Sequence, residues 1–221
     1  MRIAIAGGHG QVARLLSRDL SARGDVPVAL VRQLAHVDDV AADGAEAVVL
    51  DLERANALDV AEAIAGADAV VFAAGAGPGS GIARKDTVDR AAVALLADGA
   101  AHAGVRRYVL ISSMGAGAPP PPGTDEVFAA YLVAKRAAEV DLRARDLDWT
   151  ILRPGALTDE RPTGAVRLDS SVPRGSVPRA DVAAVLVALL HETRSAGLTL
   201  ELVGGAVPVD AAVAAITTRT G

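Results

Sequence analysis

Short apolar runs alternate with helical stretches from one end of the chain to the other. The run Ala69-Val70-Val71-Phe72-Ala73 is apolar at every position, which is typical of a strand buried on both faces of a parallel sheet. Parallel strands need crossover connections, and the helices between them provide these. We predict strands over residues 2–6, 27–31, 47–51, 69–73, 107–112, 149–153 and 198–202. We predict helices over residues 11–22, 57–65, 86–102, 126–145, 179–191 and 210–218.

This alternation predicts an α/β fold with a doubly wound parallel sheet of about seven strands and helices on both faces. The 221 residues fit one domain with one well-buried core, so we treat residues 1–221 as a single domain. Three loop-like stretches, 74–81, 115–123 and 157–178, each follow a predicted strand. They therefore lie at the edge where open α/β sheets bind ligands. We expect residues 157–178 to form a small substrate-facing region.

Charge and composition argue against several classes of function. A net charge of -5 and a pI near 5.4 are unlike the basic face of a nucleic-acid-binding protein. The chain has no cysteine and its 4 histidines are scattered, so no metal site is predicted. No run approaches the roughly 18 apolar residues of a membrane span. We expect a soluble, cytoplasmic protein with a small-molecule substrate, either a monomer or a homodimer.

A glycine-rich turn follows the first predicted strand. Residues 7–13 are Gly-Gly-His-Gly-Gln-Val-Ala and lead directly into a predicted helix. Glycines permit the tight turn and let backbone amides approach a pyrophosphate at the positive end of the helix. A turn without any ligand is the alternative, but the position after an N-terminal strand favours a dinucleotide site. The predicted cofactor contacts in this turn are Gly7, Gly8, His9, Gly10, Gln11 and Val12.

The end of the second predicted strand indicates which dinucleotide is bound. Sites for NAD usually place Asp or Glu here for the ribose hydroxyls, whereas this chain has Arg32. A guanidinium can pair with the 2′-phosphate of NADP and stack on adenine, so we predict NADP in preference to NAD. Arg32 can equally be one of many surface arginines. After the third strand, Asp51 either bonds the adenine amino group or ends the strand, and Leu52 is expected beneath the ring.

Two further strand ends supply predicted cofactor contacts. The strand at 149–153 runs into a Pro-Gly turn whose backbone groups can face a nicotinamide amide. The strand at 69–73 runs into the small residues of the 74–81 loop. The predicted contacts at these two ends are Ala73, Ala74, Gly75, Pro154, Gly155 and Ala156.

Tyr131 and Lys135 are the candidates for the chemistry. The chain contains only two tyrosines and two lysines, and one of each falls in the helix predicted at 126–145. Side chains four residues apart share a helix face, so the phenol and the ammonium can meet one ligand, and a nearby cation favours the phenolate. The alternative is a tyrosine that covers an edge of the core and a solvated lysine.

Other polar residues near these strand ends have two interpretations. Ser112 and Ser113 end a predicted strand, where a hydroxyl can bond a substrate carbonyl or cap the turn. Lys85 either begins the helix at 86–102 or lies near the cofactor phosphates. Asp86 and Asp89 are most simply a solvated helix face.

Four motifs occur in an order typical of one enzyme family. They are the glycine turn at 7–13, Ser112-Ser113, Tyr131-Leu132-Val133-Ala134-Lys135, and Trp149-Thr150-Ile151-Leu152-Arg153-Pro154-Gly155. On these residues the chain resembles the atypical short-chain dehydrogenase/reductases, in particular their small NAD(P)H-binding group. Residues 176–183 are also similar to that group's late segment, which enters a helix.

The resemblance implies a Rossmann-like fold that binds NADP or NAD. Together, the glycine turn, Arg32 and the Tyr131–Lys135 pair predict an NADPH-dependent reductase of a small carbonyl, quinone or similar acceptor. The resemblance implies that Tyr131 donates a proton as hydride arrives, and that Lys135 binds the nicotinamide ribose and favours the phenolate. It implies that Ser113 polarises the carbonyl. In related extended members the reactive Ser or Thr lies one residue further on, at Met114 here, so Ser113 is preferred to Ser112, which we expect beside the cofactor.

Two functions from other classes remain open at this point. One is a redox sensor that binds NAD(P) without turnover. The other is an epimerase or dehydratase that uses a bound cofactor transiently.

Overall fold

A computed structural model describes residues 1–75, 77, 79 and 81–218. Three residues of the loop predicted at 74–81, Ala76, Pro78 and Ser80, lie outside the described residues. The strands are β1 (Arg2–Ala6), β2 (Val26–Val31), β3 (Glu46–Val49), β4 (Ala69–Phe72), β5 (Arg107–Ile111), β6 (Asp148–Pro154), β7 (Ala156–Thr158), β8 (Ala165–Asp169), β9 (Ser176–Pro178), β10 (Thr199–Gly204) and β11 (Val207–Pro208).

The main sheet has nine strands in the order β11-β8-β10-β6-β5-β4-β1-β2-β3. The seven strands from β3 to β10 are parallel, and they correspond to the seven predicted strands. At the far edge β8 pairs antiparallel with β10 and with β11. The doubly wound α/β prediction is confirmed, with nine strands in the sheet rather than about seven.

The region 157–178 is more regular than the loop predicted there. It contains β8 and β9, and the last two residues of β7; β7 and β9 form a separate parallel pair. In β8, Val166 and Leu168 are buried while Arg167 is exposed, the alternation of a strand with one face on the core. Its neighbours Thr163 and Gly164 suggested a loop, but pairing with β10, distant in the chain, outweighs that local signal.

The helices cover both faces of the main sheet. They are α1 (Gln11–Ala22), α2 (Val37–Ala42), α3 (Ala57–Ala63), α4 (Ile82–Asp86), a π-helical turn (Thr87–Ala91), α5 (Ala92–Ala103), α6 (Glu126–Arg143), α7 (Arg179–His191) and α8 (Val209–Thr218). The short helix α2 was not predicted, and the helix predicted at 86–102 begins earlier and contains the π-helical turn. None of the described helices is long and apolar enough to cross a membrane.

Small side chains allow the helices to lie close to the sheet and to each other. On one face α1, α7 and α8 pack against the strands, and on the other α3, α5 and α6 do so. A Cβ on Gly99 of α5 would lie 2.3 Å from Cγ1 of Val60 in α3, so this helix pair depends on the missing side chain. The buried Tyr108 donates its hydroxyl to the Val93 carbonyl at 3.1 Å, which satisfies its polar group inside the core.

A buried carboxylate ties the 157–178 region to α7. Asp181, in the first turn of α7, is 1% exposed. It accepts hydrogen bonds from the amide and hydroxyl of Thr163, both at 3.0 Å, and from the Gly164 amide at 2.9 Å. These contacts hold the turn between β7 and β8.

We expect Asp181→Ala to lower the free energy of unfolding by roughly 1–3 kcal/mol, because amides and a hydroxyl lose a charged acceptor. Urea denaturation measures the loss, and limited proteolysis should cut faster within residues 157–178. The matched control is Asp159→Ala in the same region. Asp159 is 74% exposed and pairs with Arg179, and such surface pairs contribute less than about 1 kcal/mol. Equal effects of the two variants would contradict the role of Asp181.

Candidate functional site

The predicted site residues follow different strands but meet at one edge of the sheet. Gly7 follows β1, Arg32 follows β2, Ala73 follows β4 and Ser112 follows β5. Because these strands are parallel, their carboxyl ends lie side by side. Two cavities lie along this edge and adjoin at residues 73–75.

The glycine turn brings two backbones into close contact. Gly7 has a φ of 78°, and a Cβ there would lie 2.5 Å from the Cα of Ala74. A Cβ on Gly8 would lie 2.6 Å from the Cβ of Ala29. Gly10 is the N-cap of α1 and no side chain caps this helix end, so its first amides are not covered by a side-chain acceptor. The turn therefore has the geometry of a cradle for a pyrophosphate.

The first cavity lies on the β1–β2–β3 side and has a volume of about 290 Å³. The predicted residues that line it are Gly7, His9, Gly10, Arg32, Asp51, Leu52, Ala73, Ala74 and Gly75. Gly8 and Gln11 are not among its lining residues. The polar lining residues that sequence reasoning missed are His36, Glu53 and Arg84, which come from segments without a motif.

One wall of the first cavity is rich in nitrogen groups. Arg32 is exposed there, and the imidazole rings of His9 and His36 stack with centroids 3.7 Å apart. The Nε2 atom of His9 lies 2.8 Å from the Asp39 carboxylate. Burial, followed by the nearby charges of His9 and Arg32, lowers the pKa of His36. The shift favours the neutral form of His36, whereas the guanidinium of Arg32 is a permanent cation on this wall.

Another part of the lining joins the β3 loop to the segment that begins with α4. Glu53 accepts hydrogen bonds from Arg84 at 2.7 Å and from Thr87 at 2.8 Å, and these bonds lower the pKa of its carboxyl. Asp51 accepts the Glu53 amide at 3.1 Å, which turns the chain at the end of β3. Asp51 thus shapes the turn and lines the cavity, so both of its predicted roles are compatible with its position.

The second cavity has a volume of about 530 Å³ and contains the candidate catalytic residues. Tyr131 is half-buried in it, with the Phe128 ring stacked at a centroid distance of 5.9 Å. The predicted residues that line it are Val12, Ala73, Ala74, Gly75, Ser112, Ser113, Tyr131, Lys135, Pro154 and Gly155. Within the described residues, no group of His, Asp or Glu is arranged to hold a metal ion.

Lys135 is buried and held by two acceptors. Its side chain is 4% exposed, and its Nζ lies 3.2 Å from the Asp89 carboxylate. The same ammonium donates to the Ile111 carbonyl at 3.1 Å. The interpretation of Asp86 and Asp89 as a solvated face is therefore wrong for Asp89, although Asp86 is exposed and pairs with Arg90. The π-helical turn that contains Asp89 packs against α6, and such turns often occur at functional sites.

The two serines after β5 have different environments. Ser112 is buried and donates to Glu139 at 2.6 Å, so its hydroxyl is engaged inside the protein even though the residue borders the cavity. The hydroxyl of Ser113 has a longer contact, 3.3 Å, to the Met114 carbonyl. Ser113 is the better placed of the two to contact a ligand.

The amides of the turn after β6 bond within the protein. The Gly155 amide donates to the Leu202 carbonyl at 2.8 Å, and the Ala156 amide donates to the Gly175 carbonyl at 2.9 Å. A Cβ on Gly155 would lie 2.2 Å from the Gly175 carbonyl oxygen. Pro154 and Gly155 thus shape the cavity wall without offering these amides to a ligand, and Ala156 is not among the lining residues.

A family model described as NAD(P)H-binding matches residues 7–193, which include the glycine turn, Tyr131 and Lys135. The chain belongs to this NAD(P)H-binding family. The uncharacterized sugar epimerase YhfK of Bacillus subtilis is 32% identical to it over 210 residues, which cover 95% of this chain and 97% of the relative. The predicted resemblance to an NAD(P)H-binding group is confirmed.

Solved structures of similar proteins have the same Rossmann-like fold. A Bacillus halodurans protein provisionally named as an NAD-dependent epimerase/dehydratase aligns with a TM-score of 0.91 and 35% identity, covering 98% of this chain and 100% of that chain. ChuY, an anaerobilin reductase of Escherichia coli O157:H7, aligns with a TM-score of 0.79 and 25% identity, covering 92% and 97% of the two chains. Named relatives of this NAD(P)H-binding protein therefore include a reductase and epimerases.

A buried carboxylate supports α6, the helix that carries Tyr131 and Lys135 in this NAD(P)H-binding protein. Glu139 is 0% exposed and accepts hydrogen bonds from Arg153 at 2.9 and 2.5 Å, from Ser112 at 2.6 Å and from Arg143 at 2.9 Å. Burial by itself raises the pKa of Glu139. The hydrogen bonds from Arg153 and Ser112, with the charges of the two arginines, outweigh burial and lower that pKa below 4.5.

We expect Glu139→Gln to cost roughly 3–5 kcal/mol of unfolding free energy at neutral pH, because it breaks a buried ion pair. A carboxyl whose pKa is lowered by folding contributes stability above its unfolded pKa and loses it as the pH falls through the folded pKa. The difference in unfolding free energy between wild type and Glu139→Gln should therefore become smaller as the pH falls below 4.5. Urea denaturation from pH 7 downward measures this difference. The control is Glu126→Gln, which changes an exposed carboxylate on the same helix. A difference in unfolding free energy that stays constant with pH would contradict the role given to the Glu139 carboxylate.

Proposed function

We propose that this protein is an NADP-dependent oxidoreductase that reduces a small carbonyl, quinone or similar acceptor. One observation carries the proposal: Tyr131 lies in a cavity that adjoins the dinucleotide cradle, with the buried Lys135 ammonium 5.7 Å from its ring. A phenol with a cation beside it is suited to proton transfer. The membership in an NAD(P)H-binding family supplies the redox partner.

The roles of the side chains follow from this arrangement. Bound NADPH supplies a hydride for the carbonyl carbon. Tyr131 donates its hydroxyl proton to the carbonyl oxygen, and Lys135 stabilises the phenolate that is left until solvent returns the proton. An ammonium has three N–H donors. The Ile111 carbonyl accepts one of them and Asp89 balances the charge of the group, and another N–H is assigned to a ribose hydroxyl. Ser113 donates a hydrogen bond to the same carbonyl oxygen.

The preference for NADP rests on Arg32. Its guanidinium lies on the wall of the first cavity that follows β2, beside the half-buried His36. A guanidinium there pairs with a 2′-phosphate, whereas the ribose hydroxyls of NAD favour a carboxylate. The Glu53 carboxylate, which also lines this cavity, is engaged by Arg84 and Thr87. These placements favour NADP.

An epimerase or dehydratase is the second candidate, because two relatives carry such names. Such an enzyme returns the hydride to the same substrate, so its nucleotide stays bound and is not consumed. Nucleotide that co-purifies and does not exchange with added NADPH during turnover would favour this function. Tight binding without turnover on any acceptor would instead favour a redox sensor.

The remaining expectations concern partners and location. We propose a small-molecule substrate, no nucleic-acid partner and no membrane partner, and a cytoplasmic location. Size-exclusion chromatography with light scattering distinguishes a monomer from a homodimer.

We expect Tyr131→Phe to lower kcat for carbonyl reduction by about 100- to 10,000-fold, the usual contribution of a general acid. NADPH affinity should change little, since the phenol hydroxyl is assigned to the substrate. Oxidation of NADPH is followed by absorbance with a panel of aldehydes, ketones and quinones, and affinity by calorimetry. The exposed Val133→Ala on the same helix is the control. A Tyr131→Phe variant with the same kcat as wild type would contradict the role of Tyr131 as proton donor.

We expect Arg32→Ala to weaken NADP binding by about 1.5–3 kcal/mol, because a charge-assisted hydrogen bond to the 2′-phosphate is lost. Binding of NAD should change little, since it has no 2′-phosphate. Calorimetry with both nucleotides measures the two effects, with the exposed Arg136→Ala as a control for net charge. Equal losses for NADP and NAD would discard the NADP preference.

A further inference from the structure

The only two lysines of the chain lie in the same cavity, and both are next to the Tyr131 ring. The Nζ of Lys85 is 5.5 Å from the ring centroid and the Nζ of Lys135 is 5.7 Å from it. Both lysines are buried, with 7% and 3% of their surface exposed. Lysines are almost never fully buried unless they are paired, so the environment of the second ammonium needs an explanation.

The two ammonium groups differ in how their charge is balanced. Lys135 has an ion pair with the fully buried Asp89. Lys85 donates to the Gly77 carbonyl at 2.9 Å, and in the part of the chain that the structure describes it forms no ion pair with a carboxylate. The other carboxylate of the cavity, Asp125, is exposed and accepts the Phe128 amide at the N-terminus of α6.

The position of Lys85 assigns it to the substrate rather than to the cofactor phosphates. It lines the second cavity with Tyr131 and Ser113, and it is not among the residues that line the first cavity. Burial of an ammonium without an anion is costly, and a ligand anion removes that cost. Much of the remaining lining is apolar or glycine, including Val127, Phe128, Leu157 and Gly79.

We propose that Lys85 binds an anionic group of the substrate, so that the acceptor is a small oxo acid. Its carboxylate pairs with Lys85, its apolar body lies against the Phe128 side of the cavity, and its carbonyl meets Tyr131. The anion site is inferred only from the burial of Lys85, its contacts and its place in the second cavity. The contact between the substrate carbonyl and Tyr131 rests on the reductase function proposed above.

Ligand binding tests the anion site without any turnover. Calorimetry on the protein saturated with NADP compares benzoate with the neutral benzamide. Wild type is expected to bind benzoate at least about tenfold more tightly, the usual effect of a charge-assisted hydrogen bond. Lys85→Met should remove that preference and Lys85→Arg should keep most of it. The control Arg90→Met removes an exposed cation of the adjoining turn, paired with Asp86, and should leave the preference unchanged.

Two results would overturn the anion site. One is equal affinity of wild type for benzoate and benzamide, and the other is a preference that survives in Lys85→Met. Thermal denaturation checks that this variant is folded, and its midpoint should be unchanged or higher, because a buried charge without a carboxylate partner is removed. If Lys85→Met does not fold, the affinities of wild type and of Lys85→Arg for benzoate and benzamide still test the site. Both proteins should prefer benzoate.

Kinetics with a matched pair of aldehydes separates this proposal from the reductase function. With 4-carboxybenzaldehyde and its neutral methyl ester, wild type should show a kcat/KM about tenfold higher for the acid, and Lys85→Met should not discriminate. Equal reduction of both aldehydes would overturn the anion site and leave the reductase intact. Reduction of neither, together with a benzoate preference that depends on Lys85, would overturn the reductase function and leave the anion site intact.

Discussion

The carboxylate of Glu139 lies wholly inside the protein and accepts hydrogen bonds from Ser112, Arg153 and Arg143. Ser112 follows β5 and Arg153 belongs to β6, so one side chain connects α6 to the ends of two central strands. A buried carboxylate is tolerated only when its partners are in place. This requirement fixes α6 against the sheet edge, and Lys135 and Tyr131 lie one and two helical turns before Glu139. The position of the proposed proton donor therefore depends on a residue outside the cavity.

Charge is distributed between the two cavities in a way that matches a dinucleotide and an acidic substrate. In the first cavity the exposed guanidinium of Arg32 is the cation assigned to the 2′-phosphate. In the second, Lys135 forms an ion pair with Asp89, whereas Lys85 donates to the Gly77 carbonyl and has no carboxylate partner among the described residues. Between the two cavities the backbone of Gly7 lies directly against Ala74. The absence of a side chain at Gly7 is what allows this contact, so the glycine turn after β1 packs directly against the segment after β4.

The parallel part of the fold could be predicted because strands buried on both faces are apolar at every position, and β4 is an example. The helices α1 and α7 were also predicted with their observed bounds. Apolar periodicity marks α1, whereas α7 is apolar along most of its length and is buried at most of its positions. The antiparallel strand β8 was missed, although Val166 and Leu168 alternate with Arg167. Its stability comes from pairing with β10 rather than from local preference, and that pairing is not visible in a window of sequence.

The sequence by itself determined the residue types, their order and the strand ends at which they occur. The glycine turn, Arg32 and the Tyr131–Lys135 spacing are local patterns, and parallel strands necessarily bring their ends to one edge. Only the tertiary structure decided which side chains meet: Asp89 with Lys135, Glu139 with Ser112, and Lys85 with Tyr131. Periodicity places a residue on a face of its own helix, but packing between the segment at 82–91 and α6 determines what that face contacts. For this reason Asp89 was expected in solvent and is found in the core of the site.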